Sequence, residues 1–460
     1  MNEPIRFKGR LGLQQRVLPD YRVPFFDQLA SACEGGFSLF AGQPRPEEAI
    51  KTADGLNIGQ LVTARNQHLF RGPVYLCRQP GIVDWLEDWQ PDALVVEANS
   101  RYPSTRQAIA WMKARSRPVL GWGLGAPPVS GIFSGMQQSA RVNFLSQLDG
   151  VIAYSQRGAE EYLALGLPLE RVFVAHNAAA HRPSAPPPRR PAEFDRASLL
   201  FVGRLQARKR LEMLFTACAA LPADLQPELV IVGDGPARTE FEAHAQAIYP
   251  KTMFAGAKHG AELDPYFARA DLFVLPGTGG LAVQQAMSHG LPVIVAQGDG
   301  TQEDLVRPGN GWLIQPGSQD SLNTALQDAL SDPARLRRMG AESYRITAEE
   351  INLEQMAASF IRAVNQVRRE VRAEGLLGQI LETLGKIGDQ LSRIDHTGGD
   401  TTPAWEEIGE LSQTVREQIG QLPAVVLDQL PQTAGCLAAG DQLFGRWGIC
   451  SDEIRKFLDG

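Results

Sequence analysis

The stretch VLPGTGGLAVQQAMSHGLPVIV, residues 274–295, reads as one complete strand–loop–helix–strand unit. An apolar run ends near Leu275 and a glycine-rich loop follows, with Gly277, Gly279 and Gly280. A helix is expected from Leu281 to His289; Gly290 ends it, and Pro292 precedes the next strand. Units of this kind build parallel sheets with helices packed on their faces. The glycines let a ligand come close to the backbone, and the free N–H groups at a helix start can hold phosphate. GDGTQED, residues 298–304, is a further loop at the same sheet edge.

The same rhythm extends outward in both directions. SLLFVG, ELVIVGDGP, TMFAG, DLFVLPG, LPVIVAQG and GWLI are six strand candidates, each containing or adjoining a glycine. In FVGRLQARKR, residues 201–210, a strand ends at Gly203 and a loop delivers Arg204 and Lys209 just before a helix. Two cations near a helix N-terminus suit a diphosphate, with Arg as a fork and Lys as a point charge. IVGDGP, residues 231–236, is a tight turn whose Pro236 can open the next helix. Upstream, strands are expected at Leu11–Val17, Phe37–Phe40, Val74–Cys77, Ala93–Val96, Val119–Trp122, Val151–Tyr154 and Val172–Ala175. Helices are expected between them, at Val23–Cys33, Thr105–Ala114 and Arg157–Leu165. RPSAPPPRRPAEFDR, residues 182–196, cannot be helix or central strand and reads as a linker.

The fold class is therefore α/β, with two doubly wound Rossmann-like lobes and a helical extension at the C-terminus. The divisions expected are a first lobe at 1–180, a Pro-rich linker at 181–197 and a second lobe at 198–345, then a closing helix at 346–370 and the extension at 371–460. Ligands of such sheets bind beyond the strands' carboxyl ends, which points to the cleft between the lobes.

Taken in order, GRLQARKR, IVGDGP and GTGGLAVQQAMSHGLPVIV resemble the second lobe of the family 4 GT-B glycosyltransferases. That family reads G-R-L-x-x-x-K-G, V-G-x-G-P and E-G-F-G-L-x-x-x-E-A-M-A-x-G-x-P-V-I. The resemblance covers roughly residues 10–365. It implies a hexosyltransferase-like enzyme, as used in polysaccharide biosynthesis. Such an enzyme moves a sugar from a nucleotide diphosphate donor to a glycan or lipid-linked acceptor, with retention of configuration. Arg204 and Lys209 would neutralise the departing diphosphate, and the donor would meet Gly203, Gly277, Thr278, Gly279, Gly280, Leu281, Gln285 and Glu303. Tyr21 and Arg22, in LPDYRVPFFD at 18–27, would face the acceptor. No cofactor and no metal are expected, since two side-chain cations stand in for a metal and no Asp-x-Asp lies near a strand end.

Three departures from the family pattern bear on activity. Its two glutamates fall on Gly277 and Gln285, and relatives' G-W-G-H-G is here GWGLG at 121–125, with Leu124 in place of histidine. These losses open an alternative: a non-catalytic GT-B protein that binds sugar nucleotide or glycan as a scaffold. Glu97, closing the apolar run in VVEANSR at 95–101, is the catalytic carboxylate candidate; capping a helix or pairing with Arg101 is its bland alternative. His176 reads as structural, and Glu303 and Asp304 as ribose ligands or helix caps.

Composition sets outer bounds. The chain has 460 residues, 43% hydrophobic and 21% charged, with a net charge of -7 that argues against nucleic acid as a partner. Residues 366–460 hold 9 Lys and Arg against 15 Asp and Glu, so most of that charge lies in the tail. Five cysteines without a CxxC pair, an N-terminus without an apolar core and no long apolar run suggest a cytoplasmic protein, able at most to touch a membrane surface. In the tail, Leu377, Ile380, Leu384, Ile387, Leu391 and Ile394 alternate spacings of three and four, a coiled-coil seam. A second stripe runs through Ile408, Leu411, Val415, Ile419 and Leu422. The narrow seam favours pairing between chains as a homo-oligomer; the alternative is a hairpin whose stripes bury each other.

Overall fold

A computed structural model describes residues 5–48, 50–70, 72, 75–128, 134–187, 196–396 and 402–421. It resolves into two compact units, one of residues 1–112 and 119–364 and one of residues 113–118 and 365–460.

The first unit holds two parallel sheets. Its first lobe runs β1 (Leu11–Val17), α1 (Val23–Ser31), β2 (Phe37–Gly42), β3 (Gln60–Thr63), β4 (Gln67–Leu69), β5 (Leu76–Arg78), α2 (Ile82–Trp89), β6 (Ala93–Glu97), α3 (Pro103–Lys113), β7 (Val119–Gly123), α4 (Ser134–Leu145), β8 (Gly150–Ala153), α5 (Gln156–Ala164) and β9 (Val172–Val174). The sheet order is β3-β2-β1-β6-β7-β8-β9, with every pairing parallel. The middle strands are apolar on both faces because helices cover both, as parallel sheets require. Two short strands were not legible: β3 is a partly exposed edge, and β4 forms an antiparallel pair with β5. The strand expected at Val74–Cys77 is thus a correction: it begins at Leu76 and lies in that pair, outside the parallel sheet, while Val74 lies outside the described residues.

The second lobe runs β10 (Ser198–Val202), α6 (Leu211–Ala220), β11 (Glu228–Val232), α7 (Arg238–Ile248), β12 (Thr252–Gly256), α8 (Asp264–Arg269), β13 (Leu272–Leu275), α9 (Leu281–Ser288), β14 (Val293–Ala296), α10 (Thr301–Leu305), β15 (Gly311–Ile314), α11 (Gln319–Leu330) and α12 (Pro333–Arg345). Its order is β12-β11-β10-β13-β14-β15, again all parallel. Strand order reverses direction between β10 and β13, which pair through Leu199–Leu272 and Leu200–Phe273. The loop after β10 and the glycine loop after β13 therefore leave the sheet side by side, at the switch point where doubly wound sheets bind ligands. These two lobes are the GT-B architecture that the resemblance implies.

The chain returns to the first lobe through α13 (Leu353–His396). Phe360 of this helix sits 5.1 Å from Phe25 and 5.0 Å from Trp122, ring to ring. Helix α13 crosses the expected boundary at 370/371 without a break, with Gly378, Gly385 and Gly388 in its interior. In the second unit, Ile380 of α13 and Val415 of α14 (Thr402–Ile419) form a buried cluster with Leu376, Leu377, Leu384, Ile387 and Ile419. Residues of both stripes thus pack together within one chain, as the hairpin alternative has it. Leu422 and the linker's residues 188–195 lie outside the described residues.

Candidate functional site

The glycine loop is shaped by what lies beneath it. The segment Ala207–Lys209 makes one tight turn, Arg210 takes a left-handed conformation (φ 54°), and α6 begins at Leu211. This turn carries the Lys209 side chain toward the loop after β13, away from the start of α6. There its Nζ donates to the Thr278 carbonyl at 2.6 Å. Thr278 N donates to the Arg208 carbonyl at 3.2 Å, and Arg208 Nη1 to Thr278 Oγ1 at 3.2 Å, so the two loops are laced together. A Cβ at Gly277 would collide with the Arg208 carbonyl, and one at Gly279 (φ 144°) would stand 2.5 Å from Lys209 Nζ. Only glycine fits this pair of positions.

Lys209 is only 8% exposed. Burial, helped by the neighbouring Arg208 charge, lowers its pKa from 10.5 to about 8. A desolvated ammonium, whose hydrogen-bond partner among the described residues is the Thr278 carbonyl, sits directly under the loop that would cradle an anion.

Above the loop is a cavity of ≈ 460 Å³. Thr278, Gly279, Gly280 and Leu281 form one wall, and Asp299, Thr301 and Gln302 another. Tyr21 and Asn177 reach it from the first-lobe side, so both lobes contribute. Asn177 Oδ1 is buried with no hydrogen-bond partner, an acceptor suited to a ligand hydroxyl. A second cavity, ≈ 380 Å³ with Trp312 and Arg335 in its lining, touches neither the glycine loop nor the basic loop.

The family comparison matches residues 189–346 to "Glycosyl transferases group 1". That match falls on the second lobe. The aligned part of the chain is 32% identical over 146 residues to sulfoquinovosyl transferase of Arabidopsis thaliana, covering 30% of this chain and 28% of that protein. It is 39% identical over 149 residues to a GDP-mannose-dependent alpha-mannosyltransferase of Mycolicibacterium smegmatis, covering 32% and 37%. The chain thus spans about a third of the length of these curated relatives. Sucrose-phosphate synthase from Thermosynechococcus elongatus superposes with a TM-score of 0.57 at 19% identity, over 78% of this chain and 99% of that one. Anabaena HepE, solved with UDP, gives 0.57 at 16%, over 77% and 99%. At these identities the likeness is one of fold, and it extends across both lobes.

Against the group 1 pattern, the expected site residues divide. Thr278, Gly279, Gly280, Leu281 and Tyr21 meet at the cavity, with Gly277 and Lys209 directly beneath it. Gly203 and the exposed Arg204 leave the end of β10 outside the cavity lining, and Arg208 of the same loop lines it instead. The basic loop announced a cation here, but not which of its three arginines would face inward. Gln285 lies off the cavity as well. Its neighbour Gln284, 2% exposed, lines the wall and ties the lobes: Nε2 donates to the Asn177 carbonyl at 2.6 Å and Oε1 accepts from Ala179 N at 2.7 Å.

Glu303 pairs with Arg157 of the first lobe at 3.5 Å. Asp304 accepts from His176 at 2.9 Å and from Gln156 N, at the start of α5, at 3.1 Å. These contacts make both carboxylates, and His176, part of the lobe-to-lobe seam. Glu97 accepts from Arg16 N at 2.7 Å, and burial pushes its pKa upward. It fastens the end of β1 to β6 and is not among the cavity-lining residues. Arg22 sits behind Tyr21, packed over that ring at 5.4 Å. Among the described residues no group of three His, Cys, Asp or Glu could hold a metal ion, and no helix is long and apolar enough to cross a membrane.

Proposed function

We propose that the chain is a glycosyltransferase that takes a sugar from a nucleotide diphosphate donor to a glycan or lipid-linked acceptor, with retention of configuration. The observation that carries this reading is the desolvated Lys209 ammonium under the Gly277–Gly280 loop, at the head of α9. Backbone N–H groups at the helix start would receive the diphosphate, and the ammonium below would strengthen as it forms. Arg208 at the cavity wall and Arg204 on the exposed loop would add charge from the solvent side. Asn177 Oδ1 would take a sugar hydroxyl, in the cleft that joins the lobes.

In the transfer step the bond from the anomeric carbon to the diphosphate oxygen breaks and the acceptor oxygen bonds to that carbon. The acceptor proton passes to the departing diphosphate, whose charge Lys209 and the two arginines stabilise. Positioning and electrostatics then carry the rate, with no carboxylate nucleophile required. The acceptor would lie on the first-lobe side, near Tyr21 and Arg22. A lipid-linked acceptor would bring that lobe to a membrane surface, for which the exposed Leu124 and Met136 are suited.

A second reading is favoured by one specific observation. Gly277 and Gln285 occupy the positions of the family's glutamates, and Glu97 is engaged by Arg16 N. On that reading the chain binds a nucleotide sugar without transferring it. Calorimetric titration with UDP, GDP and ADP, followed by assays for transfer and slow hydrolysis of the matching nucleotide sugars, separates the readings. Transfer or hydrolysis supports the enzyme; tight binding without either supports the scaffold. If none of the three nucleotides binds, both readings fall.

A further inference from the structure

Arg22 ends the turn Asp20–Arg22 that leads into α1, and it is only 7% exposed. Its guanidinium lies 5.4, 5.3 and 5.6 Å from the ring centres of Tyr21, Trp122 and Tyr154. The rings attract a cation through their faces but carry no net charge. Nη1 of Arg22 is buried with no hydrogen-bond partner. The indole Nε1 of Trp122, in a residue 1% exposed, is equally without one. Among the described residues no carboxylate is in ion-pair contact with Arg22. Guanidinium keeps its proton at any ordinary pH, so this charge cannot neutralise itself as a lysine can. Buried charges are normally paired, and buried donors normally bonded. Two orphan donors in one aromatic cluster, one of them permanently positive, lack the same thing: an oxyanion.

The cluster adjoins the cavity through Tyr21, whose ring both lines the cavity and packs under Arg22. It belongs to the first lobe, whereas the glycine loop in the second lobe has cations of its own in Lys209 and Arg208. We propose that Arg22 anchors an oxyanion carried by the acceptor, so that acceptors are negatively charged: a phosphate, as in a lipid-linked phosphate, or the carboxylate of an acidic sugar. This rests on reading the cavity as a sugar-transfer site, and it narrows the acceptor to one charge class.

The test titrates the full chain with inorganic phosphate, glucuronate and glucose by calorimetry, with UDP present in excess so that the glycine loop is occupied. The wild-type protein should bind phosphate or glucuronate at least ~10-fold more tightly than Arg22→Gln, with Arg22→Lys between them and glucose insensitive to either change. Preference for phosphate assigns a phosphorylated acceptor; preference for glucuronate assigns an acidic sugar. The melting temperature of Arg22→Gln should equal or exceed that of the wild type, because an unpaired buried charge has been removed. Wild-type protein that binds neither anion, or binding that is the same in Arg22→Gln, overturns the proposal. So does a fall in melting temperature in both variants, which would make Arg22 a structural member of the aromatic stack. If UDP, GDP and ADP all fail to bind, the donor reading fails alone. The anion titrations, repeated without nucleotide, still decide the role of Arg22.

Discussion

Replacing Lys209 with methionine keeps the length of the side chain and removes its charge. The pKa of Lys209 falls from 10.5 to about 8 on folding. At about 1.4 kcal/mol per unit, holding the ammonium protonated in this place costs ~3 kcal/mol. Between these two values the unfolded chain binds more protons than the folded one, so stability rises as pH climbs through that window. Below it the cost is present in full. Methionine removes the cost but also the bond to the Thr278 carbonyl, worth about 1 kcal/mol. Lys209→Met should therefore be more stable than wild type by ~2 kcal/mol at pH 7, a melting temperature higher by a few degrees, with the advantage fading toward pH 10.5. Nucleotide affinity should move the other way. Losing one charge-assisted contact weakens UDP or its counterpart roughly 10- to 150-fold. In the wild type a bound diphosphate holds the proton on Lys209. Affinity should thus be flat below pH 8 and fall by about tenfold per pH unit above it, while in Lys209→Met it stays flat. Thermal denaturation and calorimetric titration at pH 7, 8, 9 and 10 read both effects. A variant less stable than wild type at pH 7, with unchanged nucleotide affinity, would refute the assignment of Lys209 to the diphosphate.

Three further substitutions separate the parts of the site. The nearest atoms to a Cβ at Gly280 are 3.8 and 3.9 Å away, so Gly280→Val should fold normally and lose nucleotide binding by filling the cavity, whereas Gly277→Ala should disrupt the loop itself; circular dichroism and titration distinguish them. Gln285→Glu restores a family residue at a position off the cavity and should change nucleotide affinity by less than about twofold; a large gain would mean that Gln285 turns inward when the donor binds. In the tail, Ile380→Asp should unfold the α13–α14 hairpin while nucleotide binding stays unchanged, and sedimentation of the wild-type chain as a monomer would agree with a seam satisfied within one chain.

The second lobe was legible because each of its strands ends in, or is followed within two residues by, a glycine or a proline that marks where a loop begins. The pairing of β10 with β13 then brings the two loops together, and periodicity alone cannot reveal such a pairing. For that reason FVGRLQARKR pointed to a cation without naming Arg208 as the one at the cavity. Gln284 was passed over for Gln285 for a related reason. The family pattern marks one position, but the helix phase decides which neighbour faces the lobe junction, where Gln284 meets Asn177 and Ala179. Strands β3 and β4 escaped because a half-exposed edge needs no apolar alternation. The tail's narrow stripe was ambiguous in principle: Ile380 looks the same whether Val415 of its own chain or a second copy covers it.

The charges around the cavity run against those of the whole chain, and this decides how salt should act. Overall the protein is negative, at -7. Around the cavity, Lys209 and Arg22 are buried and Arg208 lines the wall, against Asp299, which is engaged by Thr301 through its N–H and hydroxyl at 3.2 and 2.7 Å. A dianionic ligand would enter a local positive field created mostly by groups shielded from solvent. Salt screens exposed charges over about 10 Å at 0.1 M but reaches buried ones poorly. Raising NaCl from about 0.05 to 0.5 M should therefore weaken nucleoside diphosphate binding only a few-fold, because Lys209 carries most of the attraction. Were the exposed Arg204 and Arg208 the main holders, the loss would approach a hundredfold, and Lys209→Met would show the same salt slope as wild type. Titration of both proteins across that range decides between them. A steep slope common to both would move the diphosphate out onto the exposed arginines and leave Lys209 as a prop for the glycine loop.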